Sequence, residues 1–257
     1  MTEALYLPDR DGFVATELTR GPWDERFQHA GPPSALIGRC VELLEPAGMR
    51  VARFTIEIPK PIPIGLMRVK AGPVRTSRRT QLVEAILTVD DDEVAFARVW
   101  RIREEAGVVD ATMSEAATAA GPDGLAAFPG FGLPATSYFD GMEIRFARGD
   151  FMRAGPAAAW MRMRVPLVAD EAVMPLSRVL VVADSGNGIS SELDMLSNLF
   201  INTELTVHLV SMPAGEWVLL DAQTRIAPDG IGVTTSILSD EQVRLGTAAQ
   251  ALLCARR

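Results

Sequence analysis

Pro175-Leu176-Ser177-Arg178-Val179-Leu180-Val181-Val182-Ala183-Asp184-Ser185 is the stretch on which the reading of this chain turns. Positions 176 and 179–183 are all apolar, which covers almost the whole circumference of a helix. Such a helix must be buried on most sides, and a proline is tolerated in its first turn because the missing N–H has no partner there. A helix is predicted over 176–184. Downstream, Thr203-Glu204-Leu205-Thr206-Val207-His208-Leu209 alternates as a half-buried strand does. A turn at Pro213-Ala214-Gly215 and strands at about 216–225, 231–239 and 246–255 follow. One buried helix followed by a run of antiparallel strands implies an α+β unit in which a sheet curls around the helix.

The same order of events occurs upstream. Pro32-Pro33 opens a helical pattern with Leu36, Ile37, Cys40, Val41, Leu43 and Leu44. Arg53 to Ile58 alternates, Pro63-Ile64-Gly65 turns, and strands are expected at about 66–73, 81–89 and 94–103. Laid on the second half at an offset of about 150, Pro63-Ile64-Gly65 falls on Pro213-Ala214-Gly215 and Arg75 on Arg225. Aligning the two helices on Pro33 and Pro175 sets Glu42 opposite Asp184. Residues 106–134 are rich in Ala, Gly, Pro and Thr, have no apolar period, and read as a linker. The expected organisation is a duplication, 1–105 and 135–257, joined by 106–134.

Composition narrows the function. The 257 residues are 48% hydrophobic, ample for a core, and no apolar run approaches the roughly 18 residues that span a bilayer. Met1 to Leu5 lack the basic and apolar regions of a secretory signal, so a cytoplasmic location is expected. A net charge of −8 disfavours nucleic acid, whose phosphates select basic faces. Lys60 and Lys70 are the only lysines; the other cations are arginines, as in a GC-rich genome. Cys40 and Cys254 show no metal-ligand spacing, and His29 and His208 are the only histidines, so neither a metal nor a cofactor is expected. The chemistry must rest on carboxylates, hydroxyls, amides or backbone.

Val182-Ala183-Asp184-Ser185, Asn202 to Leu209, Gly215-Glu216-Trp217-Val218-Leu219-Leu220 and Ala248-Ala249-Gln250, in this order, resemble the TesB-like acyl-CoA thioesterases, and Phe27 to Pro33 is similar to the loop entering their first helix. The resemblance implies a double hotdog fold, hydrolysis of acyl-CoA thioesters, and pairing of two chains into a homodimer. It also implies that Asp184, Thr203 and Gln250 hold the hydrolytic water. The chain departs from the family pattern at Ser211-Met212-Pro213, where the family often has His-Arg-Pro, and at Gln250-Ala251-Leu252, where it often has Gln-Glu-Gly.

The residues can be weighed on their own chemistry. Asp184 ends an apolar helix, where a carboxylate needs partners or a task; Gly186 and Gly188 could instead end the helix and release it to solvent. Thr203 is a favoured strand residue, and Gln250 shares an apolar strand face with Ala248, Leu252 and Cys254, where its amide must find hydrogen bonds. His29 precedes the first helix, either as a pocket residue or as an ordinary loop histidine. Gly31 at the helix entrance would admit a ligand to backbone N–H donors suited to a thioester oxyanion. Arg75 and Arg78, with Arg79, could fork onto CoA phosphates, or simply face solvent on a hairpin. Asp90-Asp91-Asp92-Glu93 reads as a turn. His208 belongs to the strand face opposite Thr203.

No nucleophile elbow or Walker loop occurs. The expectation is therefore an acyl-CoA thioesterase with Asp184 as general base, or less readily nucleophile. A non-catalytic acyl-CoA or lipid binder is the alternative of another class. An enoyl-CoA hydratase ranks lower, because its Gly-Asp-x-Asn-Pro-x-His run is missing.

Overall fold

A computed structural model describes residues 3–109, 115–132 and 135–257. The chain runs β1 (Tyr6–Asp9), β2 (Gly12–Ala15), α1 (Gly31–Glu42), β3 (Met49–Glu57), β4 (Leu66–Thr76), β5 (Thr80–Val89) and β6 (Asp92–Arg103). It continues with β7 (Met142–Asp150), β8 (Arg153–Met163), α2 (Pro175–Ala183), α3 (Gly186–Ile189), β9 (Asn198–Asn202), β10 (Glu204–Leu209), β11 (Val218–Ile226), β12 (Ile231–Ser239) and β13 (Arg244–Arg256). The strands lie in one antiparallel sheet of order β1-β2-β4-β5-β6-β3-β10-β13-β12-β11-β8-β7, with β9 attached to β13.

That order is symmetric about its centre. β3 pairs with β10, Thr55 facing Thr206, and each is flanked by its own half's last strand. The two halves are thus fused edge to edge, a double hotdog. Fusion removes two sheet edges that would otherwise be open to pairing. Each half also begins with a hairpin, β1–β2 or β7–β8, that the periodicity of the sequence did not reveal. The β5–β6 connection is made by Asp90 and Asp91, both at positive φ (49° and 70°), so the acidic run is a tight turn.

The core lies between helices and sheet. Leu176 and Val179 to Ala183 are all buried, as an all-round apolar helix requires. α1 and α2 pack against each other in opposite directions. Gly31 meets Val181 near the end of α2, while Gly38 meets Leu176 and Leu180 and Glu42 reaches the N–H of Leu176 at its start. A Cβ on Gly31 would stand 2.4 Å from the Val181 carbonyl oxygen, and one on Gly38 2.5 Å from Leu180 Cδ1. These glycines, two turns apart on one face, set the close approach of the helices.

The expected linker has neither helix nor strand among its described residues; 110–114, 133 and 134 lie outside them. It is no slack tether. Ala120 accepts a hydrogen bond from Trp160 Nε1 (2.7 Å), Phe128 N–H donates to Ile144 (2.7 Å), and Phe128 and Phe131 join Phe139, Phe146 and Phe151 in an aromatic cluster.

Candidate active site

The antiparallel helix pair places Asp184, the residue that follows α2, beside the loop that enters α1. Here the positive end of the α1 dipole offsets the placement of an anion at the end of α2. The helix does not release Asp184 to solvent at the following glycines: Gly186–Ile189 forms a further short turn, α3, and Asp184 is only 3% exposed.

Three side chains converge on its carboxylate. Asn202 Nδ2 donates to Oδ1 at 2.8 Å. Gln250 Nε2 donates to the Asp184 backbone carbonyl (3.1 Å) and to Oδ1 (3.5 Å), while its Oε1 accepts the Asn187 N–H (3.2 Å), which fixes the amide's orientation. His29 Nδ1 stands 3.0 Å from Oδ2. The imidazole stacks on Tyr138 with ring centroids 3.9 Å apart. Tyr138 Oη donates to the Val181 carbonyl (2.9 Å) and lies 3.0 Å from Ser185 Oγ. Burial pushes the Tyr138 phenol well above its ordinary pKa, so it remains neutral.

Gln250 approaches so closely because position 186 is glycine; a Cβ there would meet Gln250 Oε1 and Ser236 Oγ at 2.9 Å each. The carboxylate, His29, Asn187, Asn202 and Thr203 form the polar end of a cavity of about 430 Å³. Trp23, Phe27, Phe139, Phe151, Leu199, Ile201 and Leu253 make its apolar wall.

Several expected positions differ. Thr203 reaches the cavity wall, but its hydroxyl is turned to the Ala251 carbonyl (3.4 Å) and does not touch Asp184. Its neighbour Asn202 does, because the strand breaks at Thr203 between β9 and β10 and the alternation of faces is reset there. Gln250 is held against Asp184, donating to its backbone carbonyl and to Oδ1. Gly31 does not line the cavity: its missing Cβ makes room for α2, and its N–H donates to His29 Nδ1 (3.1 Å), which corrects the reading of it as an open oxyanion donor. Arg75 and Arg78 are exposed at the β4–β5 hairpin and are not part of the cavity wall; the cation that is part of it is Lys60, paired with Asp92. His208 is exposed on the outer sheet face. Among the described residues no group of acidic, histidine and cysteine side chains has a metal-binding arrangement.

Sheet topology and helix placement define the class: a double hotdog protein with a buried carboxylate at the mouth of α1 and an apolar cavity before it. Residues 19–102 match the acyl-CoA thioesterase N-terminal domain and residues 104–254 the acyl-CoA thioesterase C-terminal domain. The chain belongs to the acyl-CoA thioesterase family. No curated protein sequence matches it. Among solved structures it resembles a hot dog fold protein from Alicyclobacillus acidocaldarius (15% identity, 97% of this chain and 95% of that one, TM-score 0.73). It also resembles an acyl-CoA thioesterase II from Mycobacterium marinum (13%, 90% and 90%, 0.68) and a tesB protein from Mycobacterium avium subspecies paratuberculosis (14%, 95% and 93%, 0.63).

Proposed function

We propose that this cavity hydrolyses acyl-CoA thioesters to a carboxylic acid and free CoA, with Asp184 as the general base on water. The observation that carries this reading is the convergence of Asn202, Gln250 and His29 on one buried carboxylate at the polar end of an apolar cavity. Asn202 and Gln250 donate to one carboxylate oxygen and His29 stands against the other, which holds the carboxylate in one orientation and converts proton removal from a chance encounter into a positioned step. Gln250 and Asn202 position Asp184. Thr203, whose hydroxyl makes one long bond to the Ala251 carbonyl, orients the water from the cavity wall. The apolar wall takes the acyl chain, and its desolvation is the source of binding energy.

In chemical terms, a water proton passes to the base as the oxygen adds to the thioester carbonyl carbon. The carbonyl electron pair moves onto oxygen, then returns as the C–S bond breaks and sulfur takes the proton. A thiol-release assay over acyl-CoAs of graded chain length tests the proposal, run on the wild type and on Asp184→Asn. Loss of the base lowers kcat on the order of 10²–10⁴-fold. Near-wild-type release by Asp184→Asn refutes the role of Asp184, and an absence of release by the wild type refutes the reaction.

A further inference from the structure

Resting on that hydrolysis but replacing direct proton transfer to Asp184, we infer that His29 is a further catalytic residue through which Asp184 acts as base: its Nε2 takes the proton from the attacking water and gives it to the leaving sulfur, while Asp184 receives the Nδ1 proton.

The first support is the contact itself. His29 Nδ1 and Asp184 Oδ2 are 3.0 Å apart, and their side chains are only 11% and 4% exposed. Two lone-pair atoms this close, shielded from solvent, require a proton between them. The second is the Gly31 N–H, directed at the same Nδ1 from 3.1 Å. Nδ1 carries either a proton or a lone pair, so the two contacts serve two protonation states. With the proton on Nδ1, the ring donates to the carboxylate. With the proton on Asp184, the freed lone pair accepts from both Asp184 and Gly31.

The third support is the other ring nitrogen. Nε2 makes no hydrogen bond to any described residue, and His29 is part of the cavity wall. Stacking on Tyr138, itself anchored to Val181 and Ser185, holds the ring plane while both nitrogens exchange protons. Asp184 Oδ1 is occupied by Asn202 and Gln250, which leaves Oδ2 for the imidazole. The titratable groups facing His29 are Asp184 and Tyr138; Asp24 and Lys60 lie in the wall of the same cavity, paired with Arg26 and Asp92.

The protons balance. As the water oxygen bonds to the acyl carbon, its O–H bond breaks and that proton goes to Nε2, while the Nδ1 proton passes to Oδ2. When the C–S bond breaks, the Nε2 proton goes to sulfur and Nδ1 recovers its own from Oδ2. Both residues return to their starting state.

His29→Asn tests this, because an asparagine amide can still donate to Asp184 where Nδ1 did but cannot carry a proton. Steady-state thiol release is measured for the wild type, His29→Asn and Asp184→Asn, with a thermal melt of each. His29→Asn is expected to lose on the order of 10²–10⁴ in kcat with KM and melting temperature little changed. A His29→Asn enzyme within about tenfold of wild type, beside an inactive Asp184→Asn, overturns the role of His29 alone. If His29→Asn does not fold, His29→Gln is measured in its place, and a His29→Gln enzyme within about tenfold of wild type beside an inactive Asp184→Asn overturns the inference. An absence of thiol release by the wild type overturns the hydrolysis itself and the inference with it.

Discussion

His29 Nδ1 lies 3.0 Å from Asp184 Oδ2, although one residue enters the first-half helix and the other leaves the second-half helix. The site is therefore shared between the halves and depends on how closely α1 and α2 approach. Lengthening the carboxylate should break this geometry without removing the charge. Asp184→Glu is expected to lower kcat by about 10²-fold, the scale of a misplacement of about 1 Å, which steady-state thiol release would measure.

Asn202 and Thr203 are adjacent, yet only Asn202 touches Asp184. A hydrogen bond to a charged group contributes about 1.5–3 kcal/mol, so Asn202→Ala is expected to lower kcat/KM roughly 10–100-fold. Thr203→Ala should cost less, because its hydroxyl makes one long bond to a backbone carbonyl. Kinetics of the two variants, side by side, would show the order; a larger loss at Thr203 would reverse it.

At Gly31 the demand is steric. A methyl group there would meet the Val181 carbonyl at 2.4 Å, and neither helix backbone can yield cheaply. Overpacking of this kind costs about 1–3 kcal/mol, so Gly31→Ala should lower the melting temperature by roughly 2–12 °C. Differential scanning calorimetry would read the shift.

Glu42 offers a pH test remote from the cavity. Burial pushes its pKa from 4.5 to about 7, against the opposing pull of the Leu176 N–H and Arg101. Oε2 has no partner among the described residues. The folded value lies above the unfolded one. Below pH 4.5 both forms are therefore protonated and no penalty exists; it grows as pH rises and is complete above pH 7. Glu42→Gln should raise the melting temperature at pH 8 and change it little at pH 4, as paired thermal melts would record.

Much of the architecture was legible because burial writes itself into period. The helix over 176–184 and the strands near 81–89 and 231–239 were visible as apolar repeats of the right spacing, and they correspond to α2, β5 and β12. The leading hairpins were not visible. β8 reads Arg153-Ala154-Gly155-Pro156-Ala157-Ala158-Ala159, residues of low strand propensity that are held in the sheet by their neighbours. Asn202 was missed for a related reason: alternation carried back from Leu205 and Val207 points to Thr203, and the break at that residue cancels the inference.

The sequence by itself determined what must be buried. An apolar helix, its earlier counterpart, and the strands after each could be satisfied only by a duplicated helix-in-sheet unit, and hydrophobic burial depends on composition and period along the chain. It also singled out Asp184 as a carboxylate at the end of such a helix. Only the tertiary structure decided which groups face that carboxylate. Hydrogen bonding depends on fractions of an ångström, and those distances follow from helix approach at Gly31 and Gly38, the break at Thr203 and the room left by Gly186. Those contacts bring His29, Asn202 and Gln250 to Asp184, leave Thr203 turned away, and place Arg75 and Arg78 on an exposed hairpin.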